Sequence, residues 1–412
     1  MDDRSAPFRI ESETMNVTKI RQLAVDSQVL TADKVDDRIR QWIANGGSTN
    51  DGDGFASRLV SERVLTDFQG AALRAGIAGP YILGPYRVQA RLTAGRLGDI
   101  FQAVHDEFQQ PVSLKIFPAA LNQNPEHVAR LGREARVSME VDHLHVVRTY
   151  HVGRAGEITF IAFEELQGET LAKRLVRLGK LPFFEACQVM AQAASGLAYL
   201  HSQDIIHRDI CPMNLWVTTH DFVKIMEFGA ARDALSFLDS LTGEGGSGEL
   251  TLNQSAGMVL GHYDYMAPEQ AQDAHSANSV SDLYGLGCTL YHCLTGQVPF
   301  PDHNPVRQML RHSNEPVKPP SQLVPDIPQA VEDVVMKLLA KQPKDRITSA
   351  DEVAIALGKI APLPPGATPD NIHQGFLDWL RTAAGESSGG IMEVSVNPEF
   401  QEFADWLSGT PA

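Results

Sequence analysis

The chain has 412 residues, more than one ordinary core needs, and its 43% hydrophobic and 21% charged residues are typical of a soluble globular protein. Its formal net charge of −16 disfavours nucleic acid and anionic membranes as partners, because both select for basic patches. The four cysteines are too few and too irregularly spaced for a disulfide framework or a zinc site. With no membrane-length apolar run and no signal peptide after Met1-Asp2-Asp3, we expect a cytoplasmic protein.

Residues 1–80 are predicted to form a helical N-terminal extension. Apolar residues recur at helical spacing from Val35 to Ile43, and this pattern stops at Asn45-Gly46-Gly47, a C-terminal signal. Residues 46–54 then predict a flexible Gly-rich linker; its two aspartates lack the further ligands that calcium requires.

A second pair of helices is predicted to begin near Phe55. Thr66-Asp67-Phe68-Gln69 fits a capping box, and the helix that it opens is expected to end at Gly76. No residue of this segment points to chemistry.

Residues 86–360 change from a strand pattern to a helix pattern. Apolar and polar residues alternate from Tyr86 to Phe117, as half-buried antiparallel strands do. Helical patterns begin at Leu181 and include Ala186 to His201. The order predicts a small sheet unit followed by a larger helical unit.

Two loops in the second unit carry the chemical signal. The first reads His207-Arg208-Asp209-Ile210-Cys211-Pro212-Met213-Asn214, and the second reads Val223-Lys224-Ile225-Met226-Glu227-Phe228-Gly229. An Asp and an Asn five residues apart, followed by an acidic-Phe-Gly turn, resemble the catalytic and metal-binding loops of protein kinases. The resemblance is to bacterial Ser/Thr, eukaryotic-like protein kinases, with a degenerate catalytic site.

This resemblance implies an α+β bilobal protein-kinase-like fold at residues 86–360. An antiparallel β-rich N-lobe would span 86–165, and an α-helical C-lobe would span 168–360. The resemblance also implies ATP and Mg²⁺ as cofactors, with Asp209 serving the substrate hydroxyl and with Asn214 and Glu227 as metal ligands.

The resemblance further implies how phosphates would be held. Gly95 and Gly98 match the second and third glycines of the phosphate-covering loop, while Thr93 replaces the first. Lys115 stands at the spacing of the strand lysine that contacts the α- and β-phosphates, and Glu134 is its expected ion-pair partner.

For the nucleotide base, the resemblance implies backbone contacts near Glu164 and Leu166, behind Phe163 as a bulky gatekeeper. Trp216 stands where the family usually has a small aliphatic residue beneath the adenine, and Ser113 replaces the usual alanine. The sequence leaves two positions open for the indole: inside the pocket, or turned aside into the large lobe.

Three positions depart from the family pattern near the reacting groups. Glu227 replaces the metal-binding Asp and adds one methylene, although magnesium demands near-octahedral geometry. Cys211 replaces the lysine that contacts the transferred phosphate, and Gly261-His262 stands in place of the threonine that bonds to that lysine. His262 is equally well interpreted as a functional substitute or as a polar surface residue.

The supports of the large lobe match the family. Glu269 in Ala267-Pro268-Glu269 has its expected partner in Arg346, and Asp282 matches the residue that anchors the catalytic-loop backbone. These residues predict that the lobe folds.

The C-terminal tail, 361–412, contains a repeated Phe-x-Asp-Trp-Leu pattern. It occurs at 376–380 and at 403–407, and each copy could form a short amphipathic helix. We expect both copies to pack back onto the domain, with a groove-docking peptide as the alternative.

Two functions of different classes follow. The first is a Ser/Thr-type protein kinase that transfers the γ-phosphate of Mg-ATP to protein hydroxyls in signalling, with reduced activity as one form of it. The alternative is a pseudokinase that scaffolds partners with or without nucleotide. A small-molecule phosphotransferase is disfavoured, because Ala267-Pro268-Glu269 and Arg346 belong to a lobe that binds peptide substrates.

Overall fold

The computed structural model describes residues 15–27, 29–77, 81–93, 99–117, 138–156, 158–226, 263–273, 276–362, 374–386 and 391–394. Elements are numbered below in chain order among these residues.

Four helices form the N-terminal extension: α1 (Val17–Asp26), α2 (Ala32–Ala44), α3 (Gly52–Ser61) and α4 (Asp67–Arg74). They share one apolar core, in which Ile20, Phe55 and Leu59 are almost fully buried. The predicted capping box is confirmed at the start of α4, where Thr66 accepts from the Gln69 backbone amide and Gln69 accepts from that of Thr66.

The expected linker at 46–54 needs a correction, because α3 begins at Gly52 rather than near Phe55. Asp51 caps this helix by accepting from the Gly54 backbone amide at 2.8 Å. Gly52 N donates to Met15 O at 3.0 Å, and a Cβ at Gly52 would approach that oxygen to 2.6 Å. The glycine therefore allows close backbone packing against the start of α1, and the segment is held in place.

A seven-stranded sheet forms the first lobe, in the order β1-β2-β3-β4-β6-β5-β10. Its strands are β1 (Ile82–Leu83), β2 (Tyr86–Thr93), β3 (Asp99–His105), β4 (Gln110–Ile116), β5 (Thr149–Ala155), β6 (Ile158–Glu164) and β10 (Ile391–Val394). Neighbouring strands are antiparallel except for the edge strand β10, which pairs in parallel with β5. The predicted strands between Tyr86 and Phe117 are confirmed.

Both extensions of the chain pack onto this sheet. From α4, the Phe68 ring meets Phe101 at 5.6 Å between centroids. From α12 (Gln374–Glu386), Phe376 is fully buried and meets Tyr150 at 5.1 Å, while Trp379 stacks on Phe376 at 5.7 Å. The first Phe-x-Asp-Trp-Leu segment thus packs back onto the lobe as expected, and the second, at 403–407, lies outside the described residues.

The second lobe is mainly helical. Its helices are α5 (Leu171–Leu178), α6 (Phe183–Ser202), α7 (Pro268–Gln272), α8 (Ser279–Thr295), α9 (Pro305–Asn314), α10 (Gln329–Leu338) and α11 (Ala350–Ile360). A small antiparallel sheet joins them, with β7 (Gly168–Thr170), β8 (Leu215–Thr218) and β9 (Val223–Ile225). The helix predicted from Ala186 to His201 is confirmed as α6, which lies in the apolar core together with α8.

Backbone hydrogen bonds connect the lobes behind the cleft. Val147 N donates to Ile225 O, and Ile225 N donates to His145 O, each at 2.9 Å. Strand β9 of the large lobe is therefore fixed to the segment that enters β5 of the small lobe. In the described part of the chain, no helix is both long and apolar enough to cross a membrane.

Candidate active site

The loop after α6 brings Asp209 and Asn214 together. A single 3-10 turn, Pro212–Asn214, reverses the chain, so that the Asn214 amide donates to Asp209 O at 2.8 Å and to its Oδ2 at 3.0 Å. These bonds orient the Asp209 carboxylate. The remaining atom of the Asn214 amide, Oδ1, is the type of hard oxygen ligand that Mg²⁺ prefers.

A buried carboxylate holds the backbone of the same loop, as the sequence predicted for Asp282. It accepts from the backbone amides of His207 at 2.9 Å and Arg208 at 2.6 Å, and it also bonds to His201 Nε2 at 2.8 Å. Arg208 has φ +69°, a left-handed conformation that non-glycine residues seldom adopt. The two bonds to Asp282 stabilise this strained residue next to Asp209.

His207 connects this loop to the strand that leads to Glu227. Its Nε2 lies 2.8 Å from Met226 O, and Met226 N donates to Asn214 O at 2.9 Å. Glu227 itself lies outside the described residues, as do Glu134, Gly95, Gly98 and His262. Their assigned roles stay predictions from the sequence.

The predicted ion pair between Glu269 and Arg346 is confirmed. Arg346 donates to the two carboxylate oxygens at 2.7 and 2.8 Å, and Ser281 Oγ adds a third bond at 2.7 Å. Burial opposes the charged form of Glu269, but these donors outweigh it, so that the pKa of Glu269 is lowered. This pair fixes α7 to α8 and to the segment before α11.

Lys115 lies in the middle of the small-lobe sheet. It is buried on β4, opposite Ile100 on one neighbouring strand and Ile161 on the other. Its ammonium group lies 5.5 Å from the Phe117 ring centroid. The phosphate-binding role of Lys115 stays a prediction from the sequence.

The connection between the lobes contains two interactions that the sequence did not predict. Lys224 Nζ bonds to both carboxylate oxygens of Glu164, at 2.7 and 2.8 Å, and Glu164 also accepts from the Arg148 backbone amide at 2.9 Å. The Leu166 backbone amide donates to Ser113 Oγ at 3.0 Å. The one available signal was Lys224 itself, a charged residue between two apolar ones on a buried strand.

Trp216 lies inside the space between the lobes. Its ring is 1% exposed and packs in a cluster with Ile100, Val147, Phe163, Leu166 and Met226, here called the interlobe cluster. The indole is therefore not turned aside into the large lobe; it packs against side chains of the small lobe and of the connection between the lobes. In the described part of the chain, Trp216 Nε1 has no hydrogen-bond partner.

Cys211, between Asp209 and Asn214, is buried and forms no disulfide. A small cleft adjoins this loop and is lined by Arg208, Asp209, Tyr265 and Gln270, among others. No cationic side chain stands at position 211 to meet a transferred phosphate.

Comparison with known proteins matches residues 86–355 to the family described as "Protein kinase domain". The chain belongs to the protein kinase family. It is 30% identical over 317 residues to the serine/threonine-protein kinase PknH of Mycobacterium bovis, a match covering 77% of this chain and 50% of that one. It is 32% identical over 294 residues to PknB of Mycobacterium leprae, covering 70% and 45%.

A third relative, PrkC of Bacillus subtilis, is 31% identical over 277 residues, covering 67% of this chain and 40% of that one. The kinase chain described here therefore spans half or less of the length of these relatives. The crystal structure of the Mycobacterium tuberculosis PknI kinase domain matches with a TM-score of 0.51 and 21% identity, covering 68% of this chain and 98% of that one. That likeness confirms the bilobal fold.

Proposed function

We propose that this protein is a Ser/Thr protein kinase that transfers the γ-phosphate of Mg-ATP to hydroxyl groups of proteins. The observation that carries the proposal is the pair Asp209 and Asn214, joined at 2.8 and 3.0 Å on a loop that Asp282 holds. The names of the relatives support the same activity, and they favour it over a scaffold without catalysis.

In this reaction Asp209 orients the substrate hydroxyl and accepts its proton as the oxygen bonds to phosphorus, while the bond to the ADP oxygen breaks. Lys115 would contact the α- and β-phosphates from β4, with Glu134 as its partner. Mg²⁺, when bound, would neutralise phosphate charge. The oxygen donors of Asn214 and Glu227 fit that ion chemically.

A protein substrate suits this large lobe better than a small molecule does. The Glu269–Arg346 pair holds the segment that ends at α7, and the cleft lined by Asp209, Tyr265 and Gln270 is beside that segment. The four cysteines are all buried and form no disulfide, which supports a reducing compartment such as the cytoplasm as the place of action.

Phosphate transfer from Mg-ATP to casein tests the activity. Asp209→Asn is expected to lower the transfer rate by about 10²-fold or more, because the group that receives the proton is lost. Asp204→Asn is the matched control, since Asp204 is exposed and its φ of +57° is one that Asn tolerates. Transfer that is equal in both variants and in the wild type would contradict the assignment of Asp209.

Glu227→Asp tests the metal ligand separately. A shorter carboxylate arm would restore the family geometry, and correcting a misplacement of about 1 Å is expected to raise the rate by up to about 10²-fold. An unchanged or lower rate in Glu227→Asp would show that the longer arm is not a handicap.

A further inference from the structure

The interlobe cluster includes Leu166, near which the family resemblance implies backbone contacts with the nucleotide base. Ile100 and Val147 belong to the small lobe, and Phe163 and Leu166 flank the connection between the lobes. None of the six residues of the cluster is more than 5% exposed. The indole of Trp216 therefore fills the space between these walls.

The direction of the Trp216 side chain follows from its strand. Its neighbours on β8, Leu215 and Val217, are fully buried in the apolar core of the large lobe. Successive side chains of a strand point to opposite faces, so Trp216 points toward the small lobe. The position of the indole is thus set by the strand register.

The indole is well packed, but its Nε1–H group is buried and has no hydrogen-bond partner among the described residues. Buried tryptophans usually pair this N–H, because a donor removed from water without a partner is unfavourable. A state in which the ring leaves the cluster would relieve this penalty.

The backbone donor at the edge of the same space is already used. Ser113 is fully buried, and its hydroxyl accepts from the Leu166 amide at 3.0 Å. The antiparallel pairing of Val112 with Glu164 sets the register that brings Ser113 beside Leu166. A base could receive this hydrogen bond only if Ser113 released it.

We propose that Trp216 and Ser113 form a gate that holds the nucleotide site closed. Opening consists of rotation of the indole out of the interlobe cluster and release of the Leu166 amide by the Ser113 hydroxyl. This inference rests on the proposed function and adds its regulation. The apparent Kd for nucleotide is then the Kd of the open state divided by the fraction of molecules that are open.

Binding of Mg-ADP, measured by calorimetry, tests the gate without requiring transfer. If the closed form outnumbers the open form about tenfold, Trp216→Leu is expected to lower the Kd about tenfold, because the smaller side chain leaves the base position open. Ser113→Ala is expected to lower the Kd by a smaller factor. Trp42→Leu, which changes a tryptophan of the N-terminal extension, is the matched control and should leave the Kd unchanged.

A Kd in folded Trp216→Leu that equals or exceeds the wild-type value would overturn the gate. If Trp216→Leu does not fold, Ser113→Ala decides, and a Kd there that is unchanged or higher overturns the proposal. Casein phosphorylation separates the two ideas. If the wild type transfers phosphate but neither variant binds Mg-ADP more tightly, the gate alone is refuted. If the wild type and all variants fail both to bind Mg-ADP and to transfer phosphate, the proposed function is refuted as well.

Discussion

Lys224 on β9 and Glu164 at the end of β6 form an ion pair in which Lys224 Nζ contacts both carboxylate oxygens of Glu164, at 2.7 and 2.8 Å. Their side chains are 15% and 6% exposed. Glu164 begins the connection between the lobes, and Lys224 lies three residues before Glu227. The pair therefore links the part of the chain proposed to meet the base with the part proposed to hold the metal.

Removing one partner of this ion pair should lower the stability of the folded protein. Lys224→Met removes the ammonium group that donates to both oxygens of the buried Glu164 carboxylate, and we expect a loss of about 3 kcal/mol in the free energy of unfolding. The double variant Lys224→Met, Glu164→Gln should recover part of that loss, because no buried charge remains. Urea unfolding measures the stability of the single and the double variant. The control is the exposed ion pair Arg311–Glu315, in which Glu315→Gln should change the free energy of unfolding by less than about 1 kcal/mol.

A loss in Lys224→Met no larger than that of the surface control would show that the pair contributes little. The double variant also separates packing from charge, since Met is an unbranched apolar side chain of nearly the length of Lys and Gln keeps the shape of Glu. If the single and double variants are equally unstable, the loss comes from the altered shape of the side chain at position 224 rather than from the charge of Glu164.

Asp282→Asn is expected to impair the catalytic loop. The amide side chain has one acceptor oxygen in place of a charged pair, so it cannot serve both His207 N and Arg208 N as Asp282 does. Arg208 would then be released from its φ of +69°, and Asp209 would move with it. We expect stability to fall by about 2 kcal/mol and phosphate transfer to fall by at least about tenfold.

Reduced transfer alone does not establish this role, because an unstable protein also loses activity. The comparison is therefore made at a temperature where both proteins are folded by circular dichroism. Full transfer by folded Asp282→Asn would contradict the positioning role.

The sequence itself predicted contacts that depend on short spacings, while the family resemblance supplied distant ones such as Glu269 with Arg346. Asp209 and Asn214 are five residues apart, and one 3-10 turn is enough to join them. The contacts of Ser113 with Leu166 and of Lys224 with Glu164 were missed, because they depend on strand register between segments far apart in the chain. The parallel pairing of Ile391–Val394 with β5 was missed for the same reason, since a four-residue strand has little pattern of its own.

The start of α3 was missed for a different, local reason. Glycines at 52 and 54 lowered the expected helix propensity, while the Asp51 cap and the close contact of Gly52 with Met15 outweigh it. The helix therefore begins at Gly52 because of a capping bond and a tertiary contact, against the helix propensity of its residues.

Acid should destabilise the small lobe through His105. This residue is 1% exposed, and burial lowers its pKa to about 4. In the unfolded chain the imidazole takes a proton near pH 6.5, but in the folded chain it stays neutral until about pH 4. The free energy of unfolding is therefore unaffected by His105 above about pH 6.5, and it decreases as the pH falls from 6.5 toward 4. The slope from this one group is up to about 1.4 kcal/mol per pH unit.

His105→Phe tests this slope. Neither ring nitrogen of His105 has a hydrogen-bond partner among the described residues, so a phenyl ring breaks no bond there. We expect the variant to gain stability over the wild type at pH 5 relative to pH 8, measured by urea unfolding. His303→Phe, at an exposed histidine, should show no such gain. A gain for His105→Phe that is equal at both pH values would mean that packing, and not protonation, is responsible.

The tail helix α12 should be needed for the stability of the small lobe. Phe376 is fully buried, between Tyr150 of β5, the His105 ring at 5.4 Å and its own neighbour Trp379. Phe376→Ala removes this ring and leaves a cavity, and we expect a loss of about 3 kcal/mol. Leu310→Ala, at a residue 56% exposed on α9, should lose less than about 1 kcal/mol. Urea unfolding followed by tryptophan fluorescence measures both variants, since Trp379 reports on the same contact. If both variants lose the same small amount of stability, α12 lies on the lobe without stabilising it. A large loss of stability in Phe376→Ala alone would establish the tail helix as part of the folded domain.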